Sequence, residues 1–393
     1  MTEPTDDPAL TAPLPPELVA TSEPREVAAR HLVSEDVASI VPYKPGKPLS
    51  ELERELGVLD AVKLASNENP LGPSPRAIEA AAAALRDAHR YPDGAAYELR
   101  NRIARHEGVD PAEVVVGNGS NELIELLIRT FTVRGRDHVV HFEPSFVIYE
   151  LVPRAHGVAA TAVPLRDKIH HDVGSLLAAV RPETKLVFIA NPNNPTGTYV
   201  ARADLVRLLS SLPRDVIPVL DEAYVAFADA ADYAHALELR DLHPCLVSLR
   251  TFSKSYGLAG MRVGYAIMPA ELAAYVHRVR APFNVGLVAQ AAAVAALDDS
   301  EHLRRTVELV RTGRTHVTAA LRDLGLFVAP SQANFVLVDV ARSGQDVYEQ
   351  MLRLGVIVRP MPPPIASWLR ITIGTEAENQ RMIDALRRAL GST

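Results

Sequence analysis

Between residues 113 and 268 the chain repeats one pattern, a short apolar run rich in β-branched residues followed by a longer stretch with apolar residues at helical spacing. The runs at 113–116, 138–142, 185–190, 216–221, 246–251 and 263–268 are mostly apolar throughout rather than alternating. A strand with one solvated face alternates polar and apolar side chains; a strand buried on both faces does not. The stretches between them, such as 122–131 and 203–211, set apolar residues three and four apart, along one helix face. Strand–helix alternation of this kind predicts an α/β fold, a mostly parallel sheet covered by helices on both sides.

Beyond about Pro282 the pattern changes. Helical stretches at 285–297 and 302–324 precede shorter candidate strands at 335–340, 356–359 and 369–373, then a last helix near 376–390. These predict a smaller α+β domain over 286–393, beside a large domain over 63–285. Residues 34–62 are expected to pack with the small one. Residues 1–33 read as a disordered leader, because their start is acidic and Pro4, Pro8, Pro13, Pro15, Pro16 and Pro24 oppose a long helix. With no basic start and no apolar stretch, the leader is not a secretory signal.

Composition excludes several classes. Lys and Arg number 41 against 48 Asp and Glu, a net charge of −7, which argues against a broad basic surface for nucleic acid. No apolar run approaches the roughly 20 residues that span a bilayer. A single cysteine, Cys245, excludes an intramolecular disulfide and any multi-cysteine metal cluster, and fits a cytoplasmic setting. The His170-His171 pair reads as an exposed turn rather than a metal site, so no metal is expected, and Trp368 reads as packing.

Four segments carry chemistry. In residues 248–265, Lys254 follows an apolar strand, Ser253 precedes it, and Arg262 comes eight positions later among Gly257, Gly260 and Gly264. A hydroxyl and a guanidinium hold phosphate through charge-assisted hydrogen bonds, and a lysine beside such a site can carry a Schiff base to a phosphorylated aldehyde. In Asp-Glu-Ala-Tyr at 221–224, Asp221 ends a buried strand, where α/β sheets place ligand-binding groups. A carboxylate there needs a partner: an arginine or a helix cap on a structural reading, a pyridinium nitrogen on a functional one, with Tyr224 near the ring oxygen. In Asn-Pro-Asn-Asn-Pro-Thr-Gly at 191–197, Asn194 follows a strand and is placed to donate its amide to a ligand oxygen. Residues 115–122 run from strand to helix through a Gly-rich turn, whose backbone N–H groups suit a phosphate.

Together, and in their chain order of Gly-rich turn, Asn-Pro-Thr-Gly, Asp-x-x-Tyr and then Ser-Lys with a later Arg, the segments resemble the fold type I pyridoxal-phosphate enzymes, the aspartate aminotransferase superfamily. Within it the chain resembles the histidinol-phosphate aminotransferase family from about Ser39 to the C-terminus. The marks are Pro-Tyr-Lys-Pro-Gly at 42–46, Lys-Leu-Ala-Ser-Asn-Glu-Asn-Pro-Leu-Gly-Pro at 63–73, Arg-Tyr-Pro-Asp-Gly at 90–94, Gln-Ala-Asn-Phe at 332–335 and Leu-Arg-Ile-Thr-Ile-Gly-Thr at 369–375.

The resemblance implies the cofactor pyridoxal 5'-phosphate and roles for matching residues. Lys254 would bond the cofactor, Asp221 would pair with its ring nitrogen, and Tyr224 and Asn194 would meet its ring oxygen. Phe146 would stack on the ring. Ser253, Arg262 and the backbone of Ser120 and Asn121 would hold its phosphate, with Tyr91 reaching it from the neighbouring subunit of a homodimer with shared active sites. Arg359 and Arg370 would bind the anionic end of either substrate, with Tyr43, Asn67 and Asn334 lining the pocket. The implied reaction moves the amino group of L-histidinol phosphate to 2-oxoglutarate, giving imidazole-acetol phosphate and L-glutamate, a step of histidine biosynthesis. Its partners are these small molecules, with neither nucleic acid nor membrane. Residues 359–368, Arg-Pro-Met-Pro-Pro-Pro-Ile-Ala-Ser-Trp, depart from the glycine-containing loop of the family and lie between the two arginines, so they bear on selectivity. The alternatives are an aromatic-amino-acid aminotransferase and a threonine-phosphate decarboxylase. A transcription regulator would need a DNA-binding domain, which the short, acidic, proline-rich leader does not supply.

Overall fold

The structure is a computed structural model that describes residues 32–42, 54 and 60–391. Apart from Leu32 and Val33 the leader lies outside the described residues, as does Tyr43. The chain divides into two units, Met1–Ile40 and Val41–Thr393, and that boundary falls within the stretch 34–62. In the first unit the described residues carry one helical turn, Glu35–Ala38, capped by Ser34 Oγ, which accepts the Val37 N–H at 3.3 Å.

In the second unit the strands are β1 (Val62–Lys63), β2 (Val114–Gly117), β3 (His138–Glu143), β4 (Ala159–Pro164), β5 (Thr184–Ala190), β6 (Ile217–Asp221), β7 (Val247–Thr251), β8 (Gly264–Ile267), β9 (Phe327–Val328), β10 (Phe335–Asp339), β11 (Val356–Ile357), β12 (Arg359–Pro360) and β13 (Trp368–Thr372). Seven form one sheet in the order β2-β8-β7-β6-β5-β3-β4. Its pairs are parallel except those of β8, which runs against both β2 and β7. Alternate residues serve opposite faces: Val114 and Val116 pack with Leu99 and Ile103, whereas Val115 packs with Leu123 and Ile124. Two buried faces explain why these strands lack polar alternation.

A four-stranded antiparallel sheet, β12-β13-β10-β9, packs against the helices Ser300–Asp323, Gly344–Arg353 and Glu376–Leu390. The last helix starts with a reciprocal cap between Thr375 and Glu378 and ends at Gly391, whose φ of +75° suits a residue without Cβ. β1 pairs in parallel with β11. The expected strand over 356–359 is thus two short strands, β11 paired with β1 and β12 with β13.

The buried Arg314 fastens the loop after β6 to the loop before β10. It donates to the carbonyls of Phe227 (3.2 Å) and Ala333 (3.1 Å) and to Asp229 Oδ2 (2.8 Å). Beside it, Gln332 Oε1 accepts the N–H groups of Asp229 and Ala230 at 2.6 and 3.0 Å.

His170 is exposed, but the exposed-turn reading fails for His171. Its ring meets Phe142 edge-on at 4.9 Å, both ring nitrogens are buried, and burial pulls its imidazole down to about 3, leaving it neutral. Trp368 is buried and packs with Ile169, Leu337 and Ile365. No helix among the described residues is long and apolar enough to cross a membrane.

Candidate active site

The ends of β5, β6 and β7 meet the start of helix Gly119–Phe131 at a cavity of about 280 Å³. In an open α/β sheet the carboxyl ends of parallel strands are where ligands bind. Asn67, Ser120, Asn121, Phe146, Asn194, Asp221, Tyr224, Ser253, Lys254, Arg262, Arg359 and Arg370 all line it.

One end is a cationic cup at a helix start. Gly119 opens the helix at φ +75°, and a Cβ there would lie 2.5 Å from a guanidinium nitrogen of Arg262. A Cβ on Gly264 would come within 3.0 Å of the backbone of Gly119 and Ser120, so β8 supports the turn at a distance only glycine permits. Backbone N–H groups at a helix start, an arginine and the hydroxyls of Ser120 and Ser253 are the donors a phosphate needs.

Asp221 is the last residue of β6 and is 4% exposed. Neither an arginine nor a helix cap holds it. Its Oδ2 accepts the Tyr149 hydroxyl at 2.7 Å, and its Oδ1 accepts the Ala223 N–H at 3.2 Å. Burial pushes its carboxyl up to about 6, against the pull of those two donors and of Lys254. The next carboxylate, Glu222, points away from the cavity into a buried cluster with Ser248 and Arg250.

The Lys254 Nζ donates to the Ser66 carbonyl at 3.3 Å and lies 5.8 Å from the Tyr224 ring centroid. Burial, then the charge of Arg370, pull its amine down to about 8. The Tyr224 hydroxyl accepts from Asn67 Nδ2 at 2.9 Å. Asn67 sits at φ +55°, where Thr372 Oγ1 accepts its N–H at 2.9 Å and Asn334 Nδ2 donates to its carbonyl at 3.1 Å.

Arg370 donates to Asn194 Oδ1 and to the Ala65 carbonyl, both at 2.6 Å. That contact takes the Asn194 carbonyl oxygen and leaves its amide as the donor, the role its sequence position suggests. Arg359 on β12 is the direct partner of Arg370 on β13, so the two guanidiniums share one sheet face at the cavity.

Tyr43 lies outside the described residues, and two described residues named from the sequence are not on this wall. Asn334, expected to line the pocket, stands behind it, 0% exposed and bonded to Asn67. Tyr91 is 82% exposed, stacks on Phe283 at 4.8 Å, and is not on the wall of its own chain's cavity. The sequence reading missed Tyr149, Thr251, Ala65 and Ser66, which line the cavity. Tyr149 stands three residues after Phe146, one helical turn on, and that spacing was a usable signal.

Residues 60–386 match the profile of aminotransferase class I and II. A histidinol-phosphate aminotransferase of Anaeromyxobacter sp. is 51% identical over 92% of this chain and 100% of its own length. One of Desulfotalea psychrophila is 44% identical over 93% of this chain and 97% of its own. The chain belongs to the histidinol-phosphate aminotransferase family. Among solved structures, the histidinol-phosphate aminotransferase of Sinorhizobium meliloti, in complex with pyridoxal-5'-phosphate, superposes with a TM-score of 0.83. It is 30% identical, and the match covers 91% of this chain and 97% of that one.

Within this histidinol-phosphate aminotransferase fold, residues 359–368 take a course the sequence did not suggest. Ile365 and Trp368 are buried against Ile169 and Ala329, and the Met361 N–H donates to the Trp368 carbonyl at 3.1 Å. Of residues 359–370, only Arg359 and Arg370 reach the cavity wall.

Proposed function

We infer that this protein transfers the amino group of L-histidinol phosphate to 2-oxoglutarate with pyridoxal 5'-phosphate, as a cytoplasmic homodimer with shared active sites. One observation carries the reading: a half-buried lysine and a buried strand-end aspartate face one cavity that ends in an arginine-backed helix start. The donor set suits the cofactor. Asp221 is buried with a carboxyl pushed up to about 6, and a protonated ring nitrogen beside it would keep it ionised. The cup at Gly119 admits an anion where a Cβ would collide with Arg262.

When bound, pyridoxal phosphate supplies an electron sink for negative charge at the substrate α-carbon. The rest falls to the chain. Asp221 would hold the proton on the ring nitrogen. Tyr224 and the Asn194 amide would donate to the ring oxygen, and Phe146 would lie beside the ring. Ser253, Arg262 and the N–H groups of Ser120 and Asn121 would bind the phosphate. The Lys254 amine, neutral above about pH 8, would be the nucleophile toward the cofactor and would then move the proton from the substrate α-carbon.

Histidinol phosphate carries a phosphate and no carboxylate, whereas glutamate carries two carboxylates. A guanidinium binds either anion in bidentate fashion, so Arg370 and Arg359 serve both substrates. The test is a half-reaction on holoenzyme, following the visible absorbance of the bound cofactor. L-histidinol phosphate should discharge it at least about tenfold faster than L-phenylalanine; the reverse ranking would make aromatic transamination the function. Loss of CO2 from the substrate would instead indicate a decarboxylase.

Tyr91 supports the shared-site reading, because its ring and Phe283 are exposed and outside the cavity of their own chain. Co-expression of Tyr91→Ala with Lys254→Ala chains should give hybrids with one intact site each. Hybrids no more active than the two parental variants would refute a site built from two copies.

A further inference from the structure

Tyr149 takes no chemical part in the proposed reaction, yet it touches two of the side chains assigned to the cofactor ring, Asp221 and Phe146. It lies in the first turn of helix Ile148–Ala155 and is fully buried. Its ring lies flat on Phe188 of β5 (5.0 Å, 11°) and meets Phe146 edge-on (5.7 Å, 90°). Such contacts fix an aromatic plane. With the plane fixed, the hydroxyl points to one place, Asp221 Oδ2 at 2.7 Å. The Ala223 N–H takes the other oxygen at 3.2 Å, so the carboxylate is held at two points.

We propose that Tyr149 is the positioning residue of the cofactor ring, its hydroxyl fixing the orientation and charge of Asp221 and its ring bracing Phe146. This rests on reading the cavity as a pyridoxal-phosphate site. The groups acting on Asp221 come from several elements: Tyr149 from its helix, Lys254 from the segment after β7, and Glu222 from the same strand end. Tyr233 also feels its charge, Tyr224 acts on the Tyr149 phenol, and the His141 ring lies 6.2 Å from that of Tyr149. Burial and Glu222 favour the neutral acid; Tyr149, the Ala223 N–H and Lys254 favour the anion. Burial and the adjacent Asp221 hold the Tyr149 phenol well above its ordinary value, so it stays a donor at working pH. A donor that never ionises biases Asp221 toward the form that keeps a proton on a ring nitrogen.

The test is Tyr149→Phe, which keeps the ring contacts and deletes the hydroxyl. The dissociation constant for pyridoxal phosphate should rise about tenfold or more, because a hydrogen bond to a buried charge is lost. The pH midpoint of the bound cofactor's visible spectrum should shift, and kcat should fall while KM for histidinol phosphate changes less than about threefold. In an Asp221→Asn background the same deletion should change the dissociation constant less than about threefold, because the charge it acts through is gone. An equal loss in both backgrounds would reduce Tyr149 to packing and overturn the proposal, as would a Tyr149→Phe holoenzyme with unchanged affinity and midpoint. Should Tyr149→Phe fail to fold, recovery of folding in Tyr149→Phe/Asp221→Asn would support the proposal, and failure of both would refute it. If the unaltered chain takes up no pyridoxal phosphate, the cofactor reading itself falls.

Discussion

Lys254→Ala should lower turnover by about four orders of magnitude or more while the protein stays folded. Positioned acid–base catalysis alone is worth roughly 10²–10⁴-fold, and this amine is also the nucleophile. Its hydrogen bond is a 3.3 Å contact from Nζ to the Ser66 carbonyl, so its loss breaks no strand or helix ladder. The depressed amine adds an observable in the unaltered protein. Folded Lys254 is protonated below about pH 8, and only the neutral amine attacks an aldehyde. Stopped-flow capture of pyridoxal phosphate by the apoenzyme should therefore quicken as pH rises and level off above about 8. An exposed lysine would level off near its ordinary 10.5. Turnover within tenfold of the parent in Lys254→Ala would remove the lysine from the mechanism. A capture rate still climbing at pH 10 would contradict the desolvated amine.

Arg370→Lys should cost about 10²-fold or more in kcat/KM for both half-reactions, and Arg370→Ala at least as much. The guanidinium spans two acceptors at once, Asn194 Oδ1 and the Ala65 carbonyl, at 2.6 Å each. An ammonium is a point donor and cannot reproduce that fork. Each charge-assisted bond is worth about 1.5–3 kcal/mol, and about 1.4 kcal/mol is a factor of ten. Because the same arginine is assigned to phosphate and carboxylate, histidinol phosphate and glutamate should suffer together. A defect confined to one substrate would show that the two anions have separate clamps. Arg359→Ala should produce the same paired defect, since its Cα stands opposite that of Arg370 across the β12–β13 ladder.

The central strands were legible because both of their faces are buried, and continuous apolar runs such as Val219-Leu220 admit few other readings. β4 was not. It lies at the sheet edge, its residues Ala159–Thr161 are partly or fully exposed, and its alanines and threonine carry little β signal. The reversed direction of β8 leaves no trace in composition, because a buried strand is apolar whichever way it runs. The run at 356–359 looked like one strand because pairing partners are not written locally; β11 and β12 belong to different sheets. The site was legible where a motif sits at a strand end, as Asp221 and Lys254 do. It was illegible where a residue acts across the fold. Tyr149 and Asp221 are 72 positions apart, and only the packing of a helix on the sheet brings them together. Asn334 shows the converse, since its motif was recognised but its side chain supports the wall instead of forming it.

Arg314 has a mechanical consequence. Its three bonds pin the loop after β6 to the loop before β10 at a single corner, with Gln332 clasping the same corner from the side. Detaching it would strand a buried guanidinium, a loss on the order of 3–5 kcal/mol for a buried charge that loses its partner. The loop that leaves Asp221 and Tyr224 is therefore tied to the four-stranded sheet at that corner, and parting the two there costs a buried charge its partner.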